Sequence, residues 1–71
     1  MAIINHLKDI RIQQHLSQEE LALAVGSCSR TISRIERGER NPSLEMALRL
    51  TMYLNVRVED IFMVEIEDAG K

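Results

Sequence analysis

The stretch SQEELALAVGSCSRTISRIERG, from Ser17 to Gly38, decides the fold. Ser17 and Glu20 have the S-x-x-E spacing of a capping box, in which each side chain satisfies a free backbone N–H of the other. A helix therefore starts at Gln18. Leu16, just before the cap, is placed to staple onto Leu21, and Leu21, Ala22 and Val25 share one face. Gly26 ends this helix after two turns, because glycine accepts the positive φ of a tight C-terminal cap. Ser27 and Cys28 make a very short link. Thr31, Ile32, Ile35 and Glu36 then resume helical spacing until Gly38, a second C-terminal stop.

Two short helices joined by a few residues around a glycine cannot pack antiparallel. They cross steeply, which is helix-turn-helix geometry. Ala22 is small where the helices approach each other. Leu21, Val25, Ile32 and Ile35 hold the pair onto the rest of the domain. Ser29, Arg30, Ser33 and Arg34 then face outward and are excluded from the core.

Outward from this motif, a first helix is expected from about Asn5 to Gln14, with Leu7, Ile10 and Arg11 on one face and Asn5 able to cap it. His15 stands where that helix must stop. On the other side, Arg40-Asn41-Pro42 is a loop, with Asn41 held extended by the proline. Ser43 caps a helix whose expected apolar face is Leu44, Ala47, Leu48, Leu50 and Leu54, and Asn55 can end it. Val58 to Phe62 reads as a short final helix. Met63 to Glu67 alternates apolar and charged residues with the period of a strand. The final Gly70-Lys71 reads as a frayed tail.

Seventy-one residues make one domain. A chain of this size buries roughly 60% of the surface its unfolded state exposes, so its core is marginal. Cys28 is the only cysteine, which excludes an internal disulfide. Cys28, His6 and His15 have no zinc-ligand spacing, so no metal or other cofactor is expected. No stretch reaches the 18 or so apolar residues of a membrane span, and no signal peptide opens the chain. These features point to the cytoplasm. No nucleophile lies near a base in a known motif, and neither a paired-carboxylate site nor a glycine-rich phosphate loop is present. An enzyme is not expected.

The net charge of −2 is unhelpful to a DNA binder as a sum. Its distribution is more informative. Residues 28–43 carry four arginines against two glutamates, and residues 58–71 carry five acids against Lys71. One region is basic and the other acidic, a polarity that can orient the chain on a polyanion.

The chain resembles the Cro and phage-repressor-like (XRE) family of helix-turn-helix regulators. The matching residues are Leu16-Ser17-Gln18-Glu19-Glu20-Leu21-Ala22, Gly26, Thr31-Ile32-Ser33-Arg34-Ile35-Glu36-Arg37-Gly38, Asn41-Pro42-Ser43-Leu44 and Val58-Glu59-Asp60-Ile61-Phe62. Length and ends look especially like the cytolysin repressor subgroup. The resemblance implies an all-α fold, a five-helix bundle with a short two-stranded antiparallel sheet in which Ile3-Ile4 pairs with Val64-Glu65-Ile66. It implies one domain over 1–71, with the helix-turn-helix at 18–37 and a dimerisation region at about 55–66.

By the same resemblance, Ser29, Arg30, Ser33 and Arg34 form the base-reading face. An arginine can bond guanine O6 and N7 together, a discrimination of about 1–3 kcal/mol. Which of Arg30 and Arg34 reads a base and which holds phosphate stays open at this level. Gln18, at a helix start, matches the phosphate-gripping position. Thr31, Arg37, Arg40 and Asn41 join it on the backbone, with a role for Asn41 in the turn alone left open. Arg11 and Glu36 match a pair that ties the first helix to the third, a structural role. Such a partly buried pair fixes orientation more surely than it adds stability.

Three positions depart from the family pattern. His15 replaces the usual glycine and must carry a positive φ. Ser27 replaces an apolar residue. Cys28 replaces a Ser or Thr cap, and a thiol caps poorly, so Ser27 or Ser29 can move the helix start by one residue. Cys28 beside Arg30 at a helix start can also have a depressed pKa, which leaves either a redox switch or an incidental small residue.

The resemblance implies a homodimer on a palindromic double-stranded operator, with recognition helices about 34 Å apart. Val56, Val58, Ile61 and Met63 are the expected interface, with Phe62 closing the core. The expected function is a transcriptional regulator, a repressor by its resemblance. The alternative is an antitoxin that also holds a toxin, disfavoured because only about five residues follow Ile66. No small-molecule effector is expected, since no second domain is present to hold one.

Overall fold

The computed structural model describes residues 2–65. Strand β1 (Ala2–Asn5) leads into α1 (Leu7–Gln13), α2 (Gln18–Ala24), α3 (Ser29–Glu36), α4 (Leu44–Leu54), α5 (Val58–Ile61) and strand β2 (Phe62–Glu65). β1 and β2 pair antiparallel, with Ile3 opposite Val64, Ile4 opposite Met63 and Asn5 opposite Phe62. Ile66, expected in this pairing, and Gly70-Lys71 lie outside the described residues. The His6 N–H continues the ladder by donating to the Ile61 carbonyl at 2.7 Å.

One backbone device closes four helices. A left-handed residue follows each: His15 (φ 60°), Gly26 (φ 74°), Gly38 (φ 77°) and Asn55 (φ 58°). The next N–H then returns to a carbonyl five residues back, from Leu16 to Arg11, Ser27 to Ala22, Glu39 to Arg34 and Val56 to Thr51. These bonds satisfy carbonyls that the helix end leaves free. Histidine takes this backbone shape at a steric cost that glycine avoids. A Cβ added at Gly26 would stand 3.0 Å from Arg49 Nη1, the end of a flexible side chain, so the backbone angle is the firmer reason for glycine there.

The helix starts follow local chemistry too. Both halves of the capping box form, with Glu20 N–H on Ser17 Oγ at 3.0 Å and Ser17 N–H on Glu20 Oε1 at 2.8 Å. Ser43 Oγ accepts from Met46 N–H at 3.1 Å. The first helix begins later than expected. Asn5 lies in β1, and its Oδ1 accepts the Leu7 N–H at 3.1 Å, so it caps from the strand.

Leu7, Leu21, Ala22, Val25, Ile32, Ile35, Leu50, Leu54 and Ile61 form the core, with Ile10, Leu16, Met46, Val56 and Phe62 partly buried against it. Burying an aliphatic side chain of this kind contributes about 1.5–3 kcal/mol. The buried face of α4 is Ala47, Leu50, Thr51 and Leu54. Leu44 and Leu48, expected on that face, are 76% and 50% exposed. Thr51 takes a core position because its hydroxyl is satisfied by the Leu48 carbonyl at 2.7 Å, so burial leaves no unpaired donor. Val58 to Phe62 divides, with the helix ending at Ile61 and Phe62 opening β2.

Ile61 corrects the expected interface. It is fully buried in the protomer's own core and presents nothing to a second subunit. Val56 is also partly buried against that core. Val58 and Met63 remain on the surface at 39% and 49% exposure.

Candidate nucleic-acid interface

Helix α3 is anchored from behind by Ile32 and Ile35, both buried. On its other side Ser29, Ser33 and Arg34 are half-buried and Arg30 is exposed. The four residues at i, i+1, i+4 and i+5 thus sit together on the accessible side of the helix. Helix start and reading register follow the Cys28 position: α3 begins at Ser29 and Cys28 holds the extended backbone of an N-cap, φ −131° and ψ 159°. No shift to Ser27 or Ser29 occurs. As expected for a thiol, Cys28 makes no capping bond to the backbone. Its Sγ lies 3.4 Å from Thr31 Oγ1. The Thr31 hydroxyl foremost, with a smaller contribution from the Arg30 charge, holds this exposed thiol below the ordinary range.

A buried ionic hub sets the orientation of α3. Arg11 Nε donates to Glu36 Oε2 at 2.6 Å and Nη2 to Oε1 at 3.3 Å, while Nη1 reaches the Leu16 carbonyl at 2.8 Å. The Glu36 side chain is 2% exposed and that of Arg11 11%. Two parallel N–H donors on one carboxylate define both distance and plane. Glu36 Oε1 also accepts from Gln18 Nε2 at 3.0 Å. Three helices therefore meet on one carboxylate. The Gln18 amide nitrogen, at the position expected to grip a phosphate, is turned inward to this hub.

Asn5 adds a link that its sequence position did not signal beyond capping. Its Nδ2 donates to the Ile35 carbonyl at 2.6 Å. Behind the turn, Arg49 Nη1 donates to the Val25 carbonyl at 3.2 Å, and Nη2 holds Glu45 at 2.5 Å.

The arginines of this region divide by partner. Arg11 is spent on the hub. Arg34 and Arg37 approach Glu39, at 3.9 and 3.2 Å. Among the described residues, Arg30 and Arg40 make no ion pair. Arg40 and Asn41 are exposed in the loop after α3. Among the described residues no cluster of His, Cys, Asp or Glu could hold a metal ion, and no helix is long and apolar enough to cross a membrane.

This arrangement, a short helix fixed from behind and carrying an arginine-rich outer side, is matched by a family model described as helix-turn-helix over residues 7–61. The chain belongs to the XRE helix-turn-helix family. An uncharacterized HTH-type transcriptional regulator of Methanocaldococcus jannaschii is 39% identical, over 90% of this chain and 97% of its own length. A similar regulator of Bacillus subtilis, YgzD, is 36% identical over the same shares of the two chains. Among solved structures, the restriction-modification controller protein C.AhdI of Aeromonas hydrophila aligns with TM-score 0.73 and 34% identity, covering 78% of this chain and 83% of that one. The XRE chain is thus a DNA-binding transcriptional regulator and not an enzyme.

Proposed function

We propose that this regulator acts as a homodimer on a palindromic operator, placing α3 of each protomer in successive major grooves and repressing the promoter it covers. The observation that carries the reading is the joint placement of Ser29, Arg30, Ser33 and Arg34 on the accessible side of a helix whose other side is locked to Arg11 and the core. These four residues contact base edges. Thr31, Arg40 and Asn41 hold the flanking phosphates, while Arg37 stays paired with Glu39. Gln18 joins them only through groups other than its amide nitrogen, which Glu36 already occupies.

Val58 and Met63 carry the dimer contact, since they are exposed apolar residues on α5 and β2. One domain suffices for this work, in the cytoplasm on nucleoid DNA and without a small-molecule effector. Repression follows where the operator overlaps the polymerase site, because bound dimer and polymerase then exclude each other.

Selection of bound duplexes from a random pool at two salt concentrations tests the proposal. The expected result is a palindromic consensus with half-site centres about 34 Å apart. Arg30→Ala or Arg34→Ala should relax the consensus at particular positions, while Arg40→Ala weakens all sequences alike. Enrichment without any consensus overturns sequence-specific reading.

A further inference from the structure

Glu39 stands among the cations that the proposed DNA face requires. Arg37 Nε lies 3.2 Å from Glu39 Oε2, and Arg37 Nη2 donates to Oε1 at 3.3 Å. Arg34 Nε is 3.9 Å from the same Oε1. The backbone places this carboxylate: Glu39 N–H donates to the Arg34 carbonyl at 2.9 Å, closing the turn at Gly38. A carboxylate beside a helix C-terminus opposes the helix dipole. The two guanidinium groups offset that repulsion.

A carboxylate oxygen and a phosphate oxygen are equivalent acceptors for arginine. Glu39 therefore occupies Arg34 and Arg37 with the same chemistry that DNA would use. All three side chains are substantially exposed, at 42%, 59% and 52% for Arg34, Arg37 and Glu39. Exposed pairs of this kind are weak and exchange readily.

We propose that Glu39 is a specificity-determining residue, an internal counter-anion that competes with backbone phosphate for Arg34 and Arg37. The inference rests on the DNA-reading role given to α3 above. In a sequence-specific complex Arg34 enters the groove, and Arg37 keeps Glu39. In a non-specific complex only phosphates are on offer, so binding there must strip Glu39 of both partners. Non-specific affinity comes almost wholly from such phosphate contacts, and Glu39 is a tax on that mode.

Titrations of wild type and Glu39→Gln against the selected operator and a scrambled duplex, across a salt series, test this. The scrambled duplex should bind Glu39→Gln about three- to tenfold more tightly. Its salt slope should steepen by up to about one, since no freed carboxylate takes up a cation. Operator affinity should move less, so discrimination falls. Asp9→Asn removes the same charge from α1, where Asp9 lies 3.9 Å from His6 Nδ1, and should leave discrimination as in wild type. Equal tightening on both duplexes, or scrambled affinity unchanged in Glu39→Gln, overturns the inference. If wild type selects an operator and Glu39→Gln follows it throughout, this inference alone fails. If wild type holds no duplex, the DNA-reading role fails and takes the inference with it.

Discussion

Asn5 and Ile35 are joined across the fold by one hydrogen bond of 2.6 Å, from the Asn5 amide to the Ile35 carbonyl in the last turn of α3. The same side chain accepts the Leu7 N–H. One residue thus starts α1 and ties the strand ribbon to α3. Asn5→Ala should lower stability by about 1–2 kcal/mol, because it leaves the Leu7 N–H without its cap and takes from the Ile35 carbonyl one of its two donors, the Gly38 N–H remaining. Asn5→Asp keeps the cap but turns a carboxylate oxygen toward the Ile35 carbonyl, and should recover only part of the loss. Urea unfolding of the two variants checks this; equal stability of Asn5→Ala and wild type would refute the double role.

Glu36→Ala removes the acceptor of both Arg11 and Gln18 and leaves a guanidinium largely buried without its counter-charge. A loss of about 3 kcal/mol is expected, from the cost of breaking such a pair on one side only. Arg11→Met, which removes the cation and keeps the apolar stem, should leave Glu36 buried and unpaired and cost a comparable amount. A double variant, Arg11→Met with Glu36→Leu, should be milder than either single change. A thermal melt of Glu36→Ala matching wild type would sink the hub as a structural element.

Cys28 has cap geometry without a cap bond. Cys28→Ser supplies an oxygen acceptor for a first-turn N–H and should raise stability by about 1 kcal/mol. The lowered thiol pKa makes a second prediction. Alkylation requires the thiolate, so its rate should rise with pH through a midpoint below that of an ordinary thiol. Thr31→Val removes the neighbouring hydroxyl and should move that midpoint upward. No movement would show that the Thr31 hydroxyl is not the cause.

The buried position of Ile61 changes which variant can report on assembly. Ile61→Asp would place a carboxylate in the core and unfold the protomer, whatever its oligomeric state. Val58→Asp and Met63→Asp alter exposed side chains instead, and should yield a folded protein. Sedimentation is expected to show a monomer for either variant and a dimer for wild type. Wild-type sedimentation of both variants would remove α5 and β2 from the interface.

Helix ends and caps were legible because their rules are local. Ser17 with Glu20, Ser43, Gly26 and Gly38 each act within a few residues, whereas the positive φ of His15 was marked only by the family resemblance, which puts a glycine there. The inner faces of α2 and α3 were legible because Leu21, Ala22, Val25, Ile32 and Ile35 leave one choice of face. Helix α4 was harder. Its apolar residues cover more of the cylinder than the core can accept, and periodicity alone does not say which edge is left outside. Thr51 entered and Leu44 and Leu48 stayed out, a result set by neighbouring helices. The Gln18 amide and the Asn5–Ile35 bond were hidden for a related reason. Each joins residues far apart in sequence, and neither partner shows by itself where the other lies. The outward placement of Ser29, Arg30, Ser33 and Arg34 was easier because these residues are neighbours on one helix.

The β1–β2 ribbon joins segments separated by all five helices. Closing so long a loop costs entropy before any strand pairing repays it, whereas the helices and their turns form from near neighbours. Time should therefore order the fold: helices first, ribbon last. Ile4→Ala is expected to quicken unfolding while leaving the refolding rate nearly untouched, a pattern that stopped-flow chevrons resolve. A slowed refolding arm would place the ribbon in the nucleus instead. On this ordering, the chain has a nearly complete α3 before the strands that steady its far side have met.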